Sequence, residues 1–242
     1  MTRVLILGGT ADAARLARAL DGVSGVEVIS SLAGRTEGIP HLPGRVRVGG
    51  FGGAEGLARF LRDEAIDRVV DATHPFAARI SAQAAQACAQ AAIPRLLLLR
   101  PAWQPEPGDR WVEVDGFAAA AAALPALGRR AFLTVGIGEV AAFAEAHGIH
   151  FLVRLIAEQK LPLADYRVVT GKGPFDADAE QSLMRANAID VVVSKASGGA
   201  ATYGKIAAAR ALGLPVLMIR RPPPPEGLSA GTIDEVLEWL RG

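Results

Sequence analysis

Short apolar runs alternate along this chain with longer stretches in which apolar residues recur at helical spacing. Several of the runs are apolar at every position, which is typical of parallel strands covered by helices on both faces. The alternation of strand and helix predicts a doubly wound α/β architecture with right-handed crossovers. We predict strands at 4–7, 26–30, 46–48, 68–71, 95–99, 111–114, 131–135, 151–155, 167–170, 191–194 and 216–219, and helices at 11–21, 54–65, 76–91, 117–124, 138–147, 177–187, 202–212 and 232–241.

This number of strands is large for a single sheet, so we expect a break. Residues 101–109 read PAWQPEPGD, and prolines at this density are typical of a linker. We therefore predict two mostly parallel α/β lobes, the first at 1–100 and the second at 110–242. The segment RRPPPPEG at 220–227 is expected to be a surface spacer before the last helix.

The composition excludes several classes of function. Half of the 242 residues are hydrophobic and only 5% are aromatic, so the core is aliphatic, and the net charge of +1 argues against an extended nucleic-acid surface. The single cysteine, Cys88, excludes an intramolecular disulfide and a cysteine-rich metal site, and we expect no bound metal. No apolar run reaches membrane-spanning length, and the N-terminal run is too short for a signal peptide. We expect a cytoplasmic monomer or weak homo-oligomer with no membrane or nucleic-acid partner.

The strongest local motif is a glycine turn between the first strand and the first helix, formed by Gly8, Gly9, Thr10 and Ala11. Glycine permits a tight turn, and a helix N-terminus offers N–H donors to a phosphate. The Thr10 hydroxyl either donates to a phosphate or caps the helix. The dinucleotide fingerprint G-x-G-x-x-G is matched only in part. The turn indicates a diphosphate site, and the alternative is a plain tight turn.

The second strand ends without the carboxylate that NAD-selective proteins usually place there. The chain instead offers Ser30, Ser31, Arg35 and Thr36. A guanidinium suits a 2′-phosphate because it donates paired, charge-assisted hydrogen bonds. A dinucleotide bound here is therefore expected to be NADPH. The alternative for Arg35 is a solvated loop arginine.

Two more predicted strand ends carry candidate residues. The third is followed by a glycine-rich loop with Gly50 and Phe51, which lets the backbone lie against a flat ring. The fourth is followed by Asp71, Thr73 and His74. His74 either donates a proton, binds cofactor or substrate, or has a structural role in its turn. Asp71 either caps that turn or holds the ribose or nicotinamide.

The second lobe collects cationic and small residues at strand ends. Three of the four lysines lie between positions 172 and 205. A cation, a hydroxyl and glycine N–H groups together suit a phosphate or carboxylate, although the Walker A pattern is not matched. The residues that we expect to meet a polyanionic ligand are Arg154, Lys172, Gly173, Lys195, Ser197, Gly198 and Lys205.

The chain resembles the precorrin-6A reductase family in an ordered set of motifs that spans nearly its whole length. The motifs are ILGGTADA (6–13), SLAGRT (31–36), GGFGG (49–53), DATHPFA (71–77), LTVGIGE (133–139), GKGPF (171–175), SKASGG (194–199) and RP (221–222). The resemblance implies two Rossmann-like lobes with the active site between them. It also implies NADPH-dependent reduction of precorrin-6A to precorrin-6B in cobalamin biosynthesis. The residues do not separate this family from its variant for cobalt-containing substrates, although the Ser30 and Arg35 pocket favours the metal-free reaction.

The implied substrate is an anionic tetrapyrrole whose acetate and propionate arms require cations. Hydride transfer from nicotinamide C4 leaves a proton to be supplied, for which we name His74, Lys195 or solvent. Two other functions stay open at this stage: an NADPH-dependent reductase of another small molecule, and a non-catalytic NADP-sensing protein.

Overall fold

Two sheets, each of six strands, are found in the computed structural model, which describes residues 1–34 and 41–242. The first unit combines Met1–Pro101 with Pro222–Gly242, and the second is Ala102–Arg221. All neighbouring strands pair in parallel. The predicted fold class, doubly wound α/β with two Rossmann-like sheets, is confirmed.

The first unit carries its helices on both faces of the sheet. Its strands are β1 (Thr2–Leu7), β2 (Val26–Leu32), β3 (Arg45–Val48), β4 (Arg68–Asp71), β5 (Arg95–Leu98) and β12 (Leu228–Ala230), and its helices are α1 (Ala11–Ala19), α2 (Ala54–Asp63), α3 (Ala78–Ala91) and α8 (Ile233–Arg241).

The strand order of this sheet is β12-β5-β4-β1-β2-β3. Val4 and Ile6 of β1 pack against α1 and α8, whereas Leu5 and Leu7 pack against α2 and α3. Both faces of β1 are thus buried over Val4–Leu7, which explains why these four positions are all apolar. The order reverses between β1 and β4, and ligands of open α/β sheets bind outside the carboxyl ends of strands at such a point.

The second unit repeats this plan. Its strands are β6 (Arg110–Val114), β7 (Arg130–Leu133), β8 (His150–Leu155), β9 (Tyr166–Thr170), β10 (Val191–Lys195) and β11 (Pro215–Ile219), and its helices are α4 (Phe117–Ala123), α5 (Ile137–Val140), α6 (Ala177–Ala186) and α7 (Gly204–Ala211).

Its strand order is β6-β11-β10-β7-β8-β9, so the order reverses between β7 and β10. Phe132 and Val192 share one core with Met184 of α6 and Ile206 of α7. The predicted helix at 138–147 is shorter than expected, because α5 passes into a single 3₁₀ turn at Ala141–Phe143. Because the strand order reverses between β7 and β10, the carboxyl ends of these two strands form the second candidate ligand edge.

One edge strand of each sheet lies where the chain passes from one sheet to the other. Strand β6 follows β5 but joins the second sheet, and β12 follows β11 but joins the first, where Leu228 pairs with Leu96. Residues 222–242, which we had assigned to the second lobe, therefore belong to the first unit. The pattern missed β12 because the strand has three residues and Leu228 is 62% exposed.

The predicted linker 101–109 belongs almost entirely to the second unit. Trp103 packs against the second core, and Arg210 holds Asp109 through a 2.9 Å hydrogen bond. Within residues 1–34 and 41–242, no helix is long and apolar enough to cross a membrane. The same residues contain no group of three or more His, Cys, Asp or Glu side chains able to hold a metal ion.

Candidate functional site

The glycine turn after β1 leaves open space over its backbone. Gly8 donates its N–H to the Ser31 carbonyl at 2.9 Å, which holds the turn against the end of β2. Gly9 adopts φ +102°, and a Cβ built on it would meet no atom of the described residues within 4 Å. This φ favours glycine, and the missing side chain lets a ligand approach the backbone. The turn therefore fits a diphosphate.

Thr10 caps α1 and ties the turn to the neighbouring strand end. Its hydroxyl accepts from the Ala13 N–H at 3.0 Å and donates to the Ala72 carbonyl at 2.8 Å. The capping interpretation of Thr10 therefore describes the structure. Ala11 and Asp12 remain in the first turn, where N–H groups have no acceptor within the helix. These backbone donors, rather than the hydroxyl, are available for a phosphate.

Asp12 places a carboxylate in that same turn, and two arginines neutralise it. Arg100 donates to Asp12 at 2.7 Å, and Arg15 forms a second hydrogen bond. Burial raises the pKa of Asp12, but the bonds from Arg100 and Arg15 outweigh burial and lower it overall. The negative charge of Asp12 is thus neutralised by the two arginines, so it would repel a phosphate at the turn less than an unpaired carboxylate would.

Asp71 is the last residue of β4 and is fully buried. Its Oδ1 accepts from the N–H and the hydroxyl of Thr73, at 3.2 and 2.7 Å. Its Oδ2 has no hydrogen-bond partner among the described residues. A buried acceptor without a donor is costly, so this oxygen fits a ligand that brings a hydroxyl or amide donor.

His74 has a defined role in the turn that follows Asp71. Its Nδ1 accepts from the Phe76 N–H at 3.2 Å, and the two rings lie 5.9 Å apart. Because Nδ1 accepts in this arrangement, a neutral His74 carries its proton on Nε2. The ring is thereby oriented, which both the structural and the proton-donor interpretations require.

The two serines of β2 do not point toward one ligand. Ser30 is 2% exposed, and its hydroxyl has no partner among the described residues. Ser31 lies on the opposite face of the strand, where its hydroxyl accepts from Arg47 at 3.0 Å. Arg35 and Thr36, which were predicted to join these serines, lie outside the described residues.

Arg47 of β3 was not singled out from the sequence. Its guanidinium donates to the carbonyls of Gly49 and Gly50 at 2.9 and 3.1 Å and lies 3.9 Å from the centre of the Phe51 ring. The Phe51 ring also packs on Phe60, at 5.2 Å between centres. Gly50 and Phe51 thus form a support for Arg47. The sequence signal was the alternation in RVRV, which puts Arg47 beside the end of β2.

In the second unit, Lys195 ends β10 and leads into a rigidly held loop. Arg221 donates to the carbonyls of Ala196 and Ser197 at 2.6 and 2.9 Å, and Trp103 donates to that of Gly199 at 2.8 Å. These three hydrogen bonds, all to backbone carbonyls, fix the loop, which includes Gly198. The loop is therefore preorganised in the way that an anion site requires.

The Lys195 ammonium is largely buried. Burial lowers its pKa, and Glu139, whose Oε2 lies 4.0 Å from the Lys195 Nζ, partly opposes this. A lowered pKa makes an ammonium group a stronger acid. Lys195 is thus a more acidic cation than a lysine in solvent.

Three of the predicted cations, Arg154, Lys195 and Lys205, lie close enough to interact electrostatically. Arg154 donates two hydrogen bonds to Glu180, at 2.8 and 2.6 Å, so its charge is already balanced. Lys205 is buried and donates to the Thr202 carbonyl at 2.8 Å. Burial lowers the pKa of Lys205 to about 7, with Arg154 and Lys195 adding to the effect and Glu180 opposing it. Glu180 was not anticipated, because nothing local marks an acid in a first helical turn as a buried partner.

The remaining predicted cation lies on the loop after β9. Lys172 is exposed, so it is accessible to a ligand from solvent. A Cβ on the adjacent Gly173 would lie 2.9 Å from the Ala201 carbonyl, so glycine is required there by close packing. Among the predicted cations, Lys172 is thus exposed, Arg154 and Lys195 are partly buried, and Lys205 is buried.

Comparisons with known proteins cover the whole chain. The family model "Precorrin-6x reductase CbiJ/CobK" matches residues 3–241. The precorrin-6A reductase of Rhodococcus erythropolis is 50% identical over 99% of this chain and 98% of its own. The cobalt-precorrin-6A reductase of Priestia megaterium is 29% identical over 98% of this chain and 97% of its own. A solved structure named CobK precorrin-6A reductase is 44% identical, with a TM-score of 0.93 over all of this chain and 96% of that one.

Proposed function

Because this chain belongs to the precorrin-6x reductase CbiJ/CobK family, we propose that it reduces precorrin-6A to precorrin-6B with NADPH in cobalamin biosynthesis. The observation that carries this proposal is the match along the entire chain, from residue 3 to residue 241. Identity to the precorrin-6A reductase of Rhodococcus erythropolis, 50%, exceeds identity to the cobalt-precorrin-6A reductase of Priestia megaterium, 29%. We therefore favour the metal-free substrate.

The first unit provides the groups for NADPH. The backbone of Gly8, Gly9, Thr10 and Ala11 would bind the diphosphate, and the open space over Gly9 supports this assignment. The unpartnered Oδ2 of Asp71 suits the ribose or nicotinamide amide, and Thr73 and His74 would line that side. The group predicted for the 2′-phosphate is Ser30, Ser31, Arg35 and Thr36, of which Ser31 lies on the Arg47 side of the sheet.

The second unit provides cations for the carboxylate arms of the macrocycle. The exposed Lys172 and the loop that follows Lys195 support this proposal most directly. Arg154 and Lys205 would act on the charge of the ligand rather than by direct contact, because Arg154 is paired with Glu180 and Lys205 is buried. Together with Gly50 and Phe51 of the first unit, the full proposed substrate-binding set comprises Arg154, Lys172, Gly173, Lys195, Ser197, Gly198 and Lys205.

The reaction requires one hydride and one proton. NADPH, when bound, supplies the hydride from nicotinamide C4 and leaves as NADP⁺. The macrocycle gains that hydride and a proton, which makes precorrin-6B richer by two hydrogen atoms. The chain's own part is to orient the two molecules and to deliver the proton. Lys195 is a candidate donor because burial lowers its pKa, and His74 is a candidate because its turn orients the ring.

The direct test is anaerobic incubation of the purified chain with precorrin-6A and either NADPH or NADH. We expect loss of the reduced-nicotinamide absorbance with NADPH, and a product heavier by two hydrogens. With NADPH that carries deuterium at both C4 positions, one deuterium should appear in the product. Failure to consume precorrin-6A with either nucleotide would refute the proposal, and NADPH binding without turnover would favour a sensing protein.

Variants of the two candidate donors identify the source of the proton. Lys195→Gln or His74→Asn should lower kcat and change its pH profile if that residue is the donor. Lys160→Gln is a matched control, because Lys160 is exposed and far along the chain from either motif. If neither Lys195→Gln nor His74→Asn alters the pH profile, the proton comes from solvent.

A further inference from the structure

Arg47 is a partly buried cation with no carboxylate partner among the described residues. Its hydrogen bonds go to uncharged oxygens, namely the Ser31 hydroxyl and the carbonyls of Gly49 and Gly50. Its neighbour on the same strand, Arg45, instead forms a paired salt bridge with Glu64 at 2.5 and 2.7 Å. Among the described residues the Arg47 charge is thus met only by neutral oxygens, and such a site suits an anion that arrives from outside.

Ser31 connects Arg47 to the glycine turn, because it forms hydrogen bonds with both. The Ser31 carbonyl accepts from Gly8 at 2.9 Å, and the Ser31 hydroxyl accepts from Arg47 at 3.0 Å. Neighbouring strands are about 4.8 Å apart, so about 10 Å separates the axis of β1 from that of β3. A dinucleotide with its diphosphate at the β1 turn places the adenosine ribose at the end of β2. Arg47 lies on the far side of that ribose position from the turn.

The geometry of the guanidinium leaves donors for a ligand. Arginine has five N–H donors. The two on Nη1 are used by Ser31 and Gly49, and one on Nη2 is used by Gly50. The Nε–H and the second N–H of Nη2 remain without a partner among the described residues, and two donors on adjacent nitrogens match two phosphate oxygens. The Phe51 ring, 3.9 Å away, supports the guanidinium from one face.

We propose that Arg47, held by Ser31 and supported by Phe51, binds the 2′-phosphate of the adenosine ribose and gives this chain its preference for NADPH over NADH. This inference rests on the proposed NADPH dependence. It adds a residue on β3 to the set expected from the sequence, in which Arg35 alone supplied the guanidinium. Burial lowers the pKa of Arg47, but a guanidinium stays protonated at neutral pH, and a bound phosphate dianion would stabilise the charge.

The test is calorimetric titration of the full-length chain with NADP⁺, NAD⁺, 2′,5′-ADP and 5′-AMP. We expect Arg47→Gln to weaken binding of 2′,5′-ADP and NADP⁺ by about 10- to 100-fold, as expected for lost charge-assisted hydrogen bonds. Binding of 5′-AMP and NAD⁺ should be unchanged. Arg45→Gln is the matched control, since it removes an arginine from the same strand at its other end, and it should alter none of the four affinities.

Two further variants separate recognition from folding. Arg47→Lys keeps the charge and the aliphatic stem but loses the paired donors, so it should retain the fold and lose part of the preference for 2′,5′-ADP over 5′-AMP. Arg35→Gln tests the residue first expected to bind the phosphate. If Arg35→Gln abolishes the preference while Arg47→Gln and Arg47→Lys keep it, the inference is overturned. Equal weakening of all four ligands by Arg47→Gln would overturn it as well.

The wild-type titration distinguishes this failure from failure of the proposed function. A wild-type chain that binds neither NADP⁺ nor NAD⁺, or binds them equally, contradicts the NADPH dependence itself and overturns the role of Arg47 with it. A wild-type preference for NADP⁺ that survives in both Arg47 variants overturns only the role of Arg47.

Discussion

Replacing Lys205 with methionine should remove a pH dependence from the stability of this protein. Lys205 is 6% exposed, and burial lowers the pKa of its ammonium from 10.5 to about 7. The charged groups around it come from three other elements: Glu180 of α6, which raises this pKa, and Arg154 of β8 and Lys195 of β10, which lower it. Methionine has nearly the same length and no charge, so it fills the same space.

The sign and size of the effect follow from proton linkage. Below about pH 7, both the folded and unfolded chains protonate Lys205, and the folded state bears the full cost of burying the charge. Between about pH 7 and pH 10.5, only the unfolded chain binds the proton, so the free energy of unfolding rises with pH. The slope contributed by one group is at most about 1.4 kcal/mol per pH unit, and the whole difference in pKa corresponds to about 5 kcal/mol.

Urea unfolding of wild type and Lys205→Met between pH 7 and pH 9 measures this contribution. The range stops at 9 because burial raises the pKa of the Cys88 thiol from 9.0 to about 11, which has the opposite effect on stability above pH 9. We expect the wild type to gain about 2–3 kcal/mol relative to the variant across the range. Lys160→Met, at an exposed lysine, should behave like the wild type. Equal slopes for wild type and Lys205→Met would refute the reasoning.

Two more predictions concern contacts of the candidate site. Glu180→Gln removes the partner of the buried Arg154 guanidinium and should lower the free energy of unfolding, measured in urea, by about 3–5 kcal/mol. The double variant with Arg154→Met should recover most of that loss. A loss below about 1 kcal/mol for Glu180→Gln would contradict the buried pair. Thr10→Ala removes the cap of α1 and the hydrogen bond to Ala72, and it should lower the free energy of unfolding by about 1–2 kcal/mol in the same assay. Thr10→Ser keeps the hydroxyl and should be close to wild type. Equal stability of all three proteins would show that the cap contributes nothing.

The core elements were predictable because their signal is local. The part of β1 that is buried on both faces, Val4–Leu7, is apolar at every position, and the glycine turn after it follows from residue type alone. Strand β12 was missed because its place is determined by pairing with Leu96–Leu98, more than a hundred residues earlier in the chain, and not by its own short sequence. The boundary at 221 and 222 was missed for the same reason.

The sequence predicted which strand ends carry the candidate site residues, but not which other residues those side chains contact. The sequence located the strand ends that carry Gly9, Asp71 and Lys195, since parallel strands end at one edge of their sheet. It did not identify Arg47 or Glu180, because their roles depend on contacts with Ser31 on another strand and with Arg154 on another element. Such pairings are tertiary and leave no pattern along the chain.

The crossing of the chain between its two sheets has a consequence for synthesis on the ribosome. All strands of the second unit have been translated once residue 221 is made, but the outer edge of β5 has no partner until residues 228–230 follow. An exposed strand edge invites pairing with other chains, so a nascent or truncated product that ends before β12 carries that hazard. A fragment intended to contain the complete first unit must therefore join residues 1–101 to residues 222–242, and a single cut near residue 101 cannot produce it.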